Sequence, residues 1–140
     1  MTAPTRRRIY LMRHAQVRYF EGKHPHEVVL TDAGREQAIA AAHALSKVTF
    51  ERVITSGLPR TLETAHAIAP AQEPERNERL REIESGELRG VPPEQVQEMM
   101  SIAFRGVVPL ETRFLGGETI EELLERVLPE VDALVADQTW

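Results

Sequence analysis

Short apolar runs alternate with longer apolar stripes along the first half of the chain. Arg8 to Met12 is rich in strand formers, and Arg52 to Thr55 repeats the pattern before ending at Ser56-Gly57, so both are expected as short buried strands. Between them, Thr31 can cap a helix from Asp32 to about Ser46, in which Ala38, Ala41, Ala42 and Leu45 recur at helical spacing. A second helix is expected over Leu58 to Ala69. Leu58, Leu62, Ala65 and Ala69 form its apolar stripe, and Pro59 sits in the first turn, where its missing N–H does no harm.

The pattern then weakens. An extended stretch ends near Glu82, and the region containing Pro92, Pro93 and Pro109 reads as a lid-like insertion around 91–115 with a short helix from Glu94 to Met100. The last element is the clearest: Thr119 and Glu122 form a capping box. After it, Ile120, Leu123, Leu124, Val127, Leu128, Val131, Leu134 and Val135 repeat as a core-facing stripe, which Pro129 should kink. Strand alternating with helix predicts an α/β fold, a mainly parallel sheet covered by helices, in one domain over residues 1–140.

Composition narrows the chemistry. With 140 residues and a formal net charge of -5, the chain offers one modest core and no global attraction for nucleic acid or an anionic membrane. Phosphate recognition, if present, must come from a few placed cations. The sequence contains no cysteine, which excludes disulfides, thiolate-bound zinc and cysteine-nucleophile phosphatases, and fits a reducing cytoplasm. Arg6, Arg7 and Arg8 resemble the charged start of a targeting peptide, but the apolar run Ile9 to Met12 is too short for a secretory or membrane segment.

Arg13-His14 lies just past the carboxyl end of the first apolar run, where open α/β sheets place ligands. A neutral imidazole can attack phosphorus while an adjacent guanidinium binds the non-bridging oxygens, although a surface His-Arg pair would look the same. Arg60 is a second cation beside a helix N-terminus, which favours anions. On a helical wheel, however, Arg60 and Thr64 fall opposite the apolar stripe, as residues of a solvated face do. Glu82 could protonate a leaving alkoxide if burial raised its pKa, yet Glu75, Glu78, Glu84 and Glu87 crowd the same region and spacing does not single it out. His24-Pro25-His26 lacks the further ligands a metal site needs, so neither a metal nor another cofactor is expected. His43 and His66 fall within helical patterns and read as packing or surface residues.

Taken in order, these segments resemble the histidine phosphatase, or phosphoglycerate-mutase-like, family. Tyr10-Leu11-Met12-Arg13-His14-Ala15 is similar to its Arg-His-Gly signature, and Leu30-Thr31-Asp32-Ala33-Gly34 to the start of its first helix. Ser56-Gly57-Leu58-Pro59-Arg60 with Thr64-Ala65 resembles the next signature, Leu80-Arg81-Glu82-Ile83 with Gly86 and Gly90 the proton-donor segment, and Gly116-Gly117-Glu118-Thr119 the turn before the long helix. The resemblance implies a three-layer sandwich with helices on both faces of the sheet. It implies His14 as the phosphohistidine, Arg13 and Arg60 as the phosphoryl clamp and Glu82 as general acid and then base, without metal, acting on a small phosphorylated metabolite.

Ala15 departs from the usual glycine, and Val17 and Phe20 stand where many members carry a hydroxyl residue and an asparagine. In the family a strand with a second active-site histidine follows the long helix, and this sequence reaches Trp140 about where that strand should begin. The expectation is a fold incomplete at the C-terminus, marginal or associating as an isolated chain, the rest of the domain being either supplied by another chain or outside this sequence, with a homodimer or a complementing chain as the partners to look for. Alternatives to the phosphatase are mutase-type phosphoryl transfer and a non-catalytic phosphate-binding or assembly module.

Overall fold

A computed structural model of the chain describes residues 6–103 and 105–140. They form two compact units, the first running to Arg76 and including 137–140, the second Asn77–Ala136.

The first unit carries the α/β pattern. Helix α1 (Asp32–Ala44) starts as expected: the Thr31 hydroxyl accepts the Gly34 N–H at 3.0 Å, satisfying one of the free donors of the first turn. Strand β1 (Ile54–Thr55) leads into α2 (Pro59–Ile68) and pairs in parallel with β2 (Glu75–Arg76), Ile54 opposite Glu75 and Thr55 opposite Arg76. The ladder is only two residues long. It is reinforced by a bidentate pair in which Arg52 donates to both Glu75 oxygens at 2.8 and 2.7 Å, and Arg52 also donates to Asp137 at 3.0 Å. Helices α1 and α2 pack on one another, and Val28, Leu30, Ala38 and Leu58 form the apolar core.

The segment 8–12 departs from expectation. No strand is assigned there among the described residues, and its apolar side chains are open to solvent, Leu11 being 86% exposed. Strand propensity is realised only where a neighbouring strand supplies ladder bonds and a packed face. The two-residue ladder of β1 and β2 does not extend to this segment; Tyr10 instead packs edge-on against Phe50, ring centroids 5.7 Å apart.

In the second unit, α3 (Pro93–Ala103) extends the expected short helix at both ends and buries Val96, while Leu115, outside the helix, is the unit's other buried apolar side chain among the described residues. Helix α4 (Ile120–Ala136) begins with the capping box read from the sequence. The Thr119 N–H donates to Glu122 at 2.8 Å and the Glu122 N–H to the Thr119 hydroxyl at 3.0 Å. Its stripe does not all face a core: Leu124, Leu128 and Val135 are exposed, Leu128 by 51%. Periodicity fixes that these residues share a face, while burial depends on what covers it. No helix of the described residues is long and apolar enough to cross a membrane.

Candidate active site

Two helices hold the turn that follows His14. The Thr31 N–H donates to the Gln16 carbonyl at 3.1 Å, the Thr31 hydroxyl to the Gln16 side chain at 2.8 Å, and the Gln16 N–H to the Gln37 side chain at 2.9 Å. This brings the backbone at Gln16 onto the first turn of α1, where residue 34 must be glycine: a Cβ there would stand 2.2 Å from the Gln16 carbonyl oxygen. The second clamp comes from α2. Thr64 accepts the Ala15 N–H at 3.1 Å and donates its own hydroxyl to the Arg60 carbonyl at 2.8 Å.

This clamp corrects the helical wheel. Arg60 and Thr64, which the apolar periodicity assigns to a solvated face, are 4% and 6% exposed. A polar stripe looks alike in sequence whether it meets water or a buried polar network, so the period alone could not separate the two.

His14 stands at the head of this turn. Its Nδ1 lies 2.8 Å from the Ala15 carbonyl oxygen. A carbonyl only accepts, so Nδ1 carries a proton, and in the neutral imidazole Nε2 then keeps its lone pair. Tyr19 Oη stands 3.3 Å from that Nε2, and the Arg60 guanidinium sits over the Tyr19 ring, 5.5 Å from its centroid. Arg60 is further fixed by donating Nη1 to the Pro25 carbonyl at 2.8 Å. His14, Tyr19, Arg60 and Thr64 therefore form one connected group. Leu58, before the first turn of α2, provides no side-chain cap. Arg13 is exposed, and no hydrogen bond, ion pair or ring contact joins it to the group among the described residues.

His24 and His26 stack edge to face, ring centroids 4.9 Å apart, and the His26 N–H donates to His24 Nδ1 at 3.2 Å. Their contribution is the intervening Pro25 carbonyl that holds Arg60. Among the described residues no three His, Asp or Glu side chains converge as a metal-binding set.

Glu82 belongs to the second unit and is exposed. Its backbone is held on both sides. Arg126 on α4 donates to the carbonyls of Arg79 and Arg81 at 2.7 and 3.0 Å, and Glu84 and Glu118 exchange bonds of 2.9 and 3.1 Å. Gly117 lets these segments meet, since a Cβ there would lie 2.3 Å from the Glu84 carbonyl oxygen. Arg126 also binds Glu118 through two bonds of 2.9 and 2.8 Å, which hold the Glu118 carboxyl below the usual carboxylate range; the Glu84 N–H adds to the same effect. Sequence reasoning missed Tyr19, Arg126 and this use of Glu118. The last two act across eight residues and two elements, where no local spacing rule reaches.

The model of the histidine phosphatase superfamily (branch 1) matches residues 9–140. The chain is 34% identical to a glucosyl-3-phosphoglycerate phosphatase of Mycolicibacterium vanbaalenii over 143 residues, covering 95% of this chain and 62% of that protein. It is 34% identical to phosphoserine phosphatase 1 of Hydrogenobacter thermophilus over 102 residues, covering 70% of this chain and 48% of that one. The solved structure of mycobacterial glucosyl-3-phosphoglycerate phosphatase with inorganic phosphate superposes with a TM-score of 0.70 at 28% identity, over 89% of this chain and 61% of that one. Its complex with VO3 gives 0.73, with coverage of 90% and 66%. The chain thus spans less than two thirds of the length of the relatives it matches in sequence.

Proposed function

The chain belongs to the histidine phosphatase superfamily, and from that premise we propose that His14 is the nucleophile of a metal-independent phosphatase acting on small phosphate monoesters. The observation that carries this reading is the 2.8 Å approach of His14 Nδ1 to the Ala15 carbonyl oxygen. With Nδ1–H given to the Ala15 carbonyl, Nε2 holds the lone pair that a nitrogen nucleophile needs, beside a buried arginine.

In the first step the Nε2 lone pair forms a bond to phosphorus as the ester P–O bond breaks. The departing oxygen keeps that electron pair and takes a proton from Glu82. Arg60 and Arg13 bind the non-bridging oxygens, Arg60 from a fixed position and Arg13 from solvent as the substrate arrives. In the second step Glu82 takes a proton from a water that attacks phosphorus, and the P–N electrons return to Nε2. The names of both relatives favour hydrolysis over mutase transfer. The reading treats residues 1–140 as one domain in which 91–115 form a small lid-like insertion, working in the cytoplasm on a small phosphorylated metabolite.

The test is phosphoryl trapping. Brief exposure to a reactive phosphate ester, followed by intact-mass measurement without acid, should show phosphorylated protein that His14→Ala eliminates. Undiminished label in that variant refutes the assignment.

A further inference from the structure

Beside the nucleophilic nitrogen stands a hydroxyl to which the two-step reaction assigns no part. Tyr19 Oη is 3.3 Å from His14 Nε2. With Nδ1 donating to the Ala15 carbonyl, the neutral, nucleophilic form of the ring has Nε2 as the acceptor of that pair and Tyr19 as the donor. The ring cannot wander: Arg60 covers one face, and the Phe20 ring lies 6.0 Å away. Phe20 itself holds φ 68, a left-handed conformation that a bulky side chain adopts only when its surroundings impose it.

Phosphorylation removes the acceptor. Once Nε2 has spent its lone pair on phosphorus, the Tyr19 O–H has no acceptor on the imidazole, while phosphoryl oxygens have been brought beside it. Resting on the phosphohistidine reading above, we propose that Tyr19 is a catalytic donor whose hydroxyl transfers its hydrogen bond from Nε2 to a non-bridging oxygen as the P–N bond forms. The proton stays on Oη throughout. The P–N bond still forms from the imidazole lone pair, and the leaving oxygen still departs with its electrons, so no further reactant enters.

The direction of the effect follows from the two acceptors. The bond Tyr19 gives up is to a neutral nitrogen at a long distance; the bond it gains is to an anionic oxygen, and charge-assisted hydrogen bonds are about twice as strong. Tyr19 therefore favours the transition state and the phosphoenzyme over the free protein, which is the condition for raising a rate. In the bound but unreacted complex Nε2 still has its lone pair, so substrate affinity should depend little on the hydroxyl.

Tyr19→Phe keeps the ring, its contact with Arg60 and its packing, and removes only the hydroxyl. The assay is the pre-steady-state release of p-nitrophenolate from p-nitrophenyl phosphate, whose leaving group needs no proton donor and so takes Glu82 out of the comparison. The burst rate should fall about five- to tenfold in Tyr19→Phe, the ratio expected between a neutral and a charge-assisted bond, with the half-saturating concentration unchanged. An equal or faster burst, or a loss confined to the half-saturating concentration, overturns the role of Tyr19 and leaves the phosphohistidine reading in place. A burst that survives His14→Ala overturns that reading and this inference together.

Discussion

Thr64→Val is the most discriminating perturbation of the nucleophile turn. The substitution exchanges a hydroxyl for a methyl of nearly the same volume inside α2, at a site 6% exposed, so packing changes little. What changes is the Ala15 N–H, which loses its acceptor at 3.1 Å and becomes a partly buried donor facing a methyl group. The bond from the Thr64 hydroxyl to the Arg60 carbonyl also goes, but that carbonyl lies within α2 and has the helical ladder as its main partner. One stranded donor costs about 1–3 kcal/mol, which corresponds to a melting temperature lower by roughly 3–10 °C for a chain of this size. Because α1 still grips Gln16, the turn should shift rather than unfold, and a displacement of the nucleophile of that kind lowers the phosphorylation rate by about 100-fold. Thr64→Ser retains the hydroxyl and should keep both stability and rate close to wild type. Thermal melts and burst kinetics on the two variants decide the matter. If Thr64→Val melts with wild type, or if Thr64→Ser is as slow as Thr64→Val, the hydroxyl is not what holds the turn.

Two further outcomes test the supports of the site. Gly34→Ala places a Cβ 2.2 Å from the Gln16 carbonyl oxygen, so despite a better helix propensity it should destabilise by about 1–3 kcal/mol and loosen the turn after His14, read by thermal melting and by exchange of the Gln16 amide. At the other clamp, the Glu118 carboxyl is held low, chiefly by the Arg126 bonds. A depressed carboxyl contributes stability that is present above its unfolded value of about 4.3 and lost as pH falls through the lower folded value. Glu118→Gln should therefore narrow the difference in stability between pH 7 and pH 3, and an unchanged acid limb in urea titrations would exclude the Arg126 pair as its source.

Local signals were legible in the sequence because their physics is local. Thr31 capping Gly34, Pro59 opening α2 and the Thr119–Glu122 box each act over three residues or fewer, and each appears where the pattern puts it. The sequence order of Arg13-His14, Ser56-Gly57-Leu58-Pro59-Arg60 and Leu80-Arg81-Glu82 led to the right family. What escaped were relations between distant segments. Tyr19 gains its interest only when the turn brings its hydroxyl to His14, and Arg126 only when α4 reaches the carbonyls of Arg79 and Arg81. Arg8 to Met12 has the composition of a strand, but a ladder belongs to two segments, and the second is not written in the first.

The two amides that follow His14 both donate to side chains, Ala15 to Thr64 and Gln16 to Gln37. Those two peptide groups are thus unavailable to an incoming anion, unlike the main-chain nests that cradle phosphate in glycine-rich loops. On the proposed reading, recognition falls to the side chains of Arg13, Arg60 and Tyr19. A cradle of backbone amides is much the same whatever residues line it, and selection can alter it only by remodelling the loop. A cradle of side chains can be rewritten one codon at a time, which allows a lineage to retune its grip on the phosphoryl group while the turn that presents the nucleophile stays fixed.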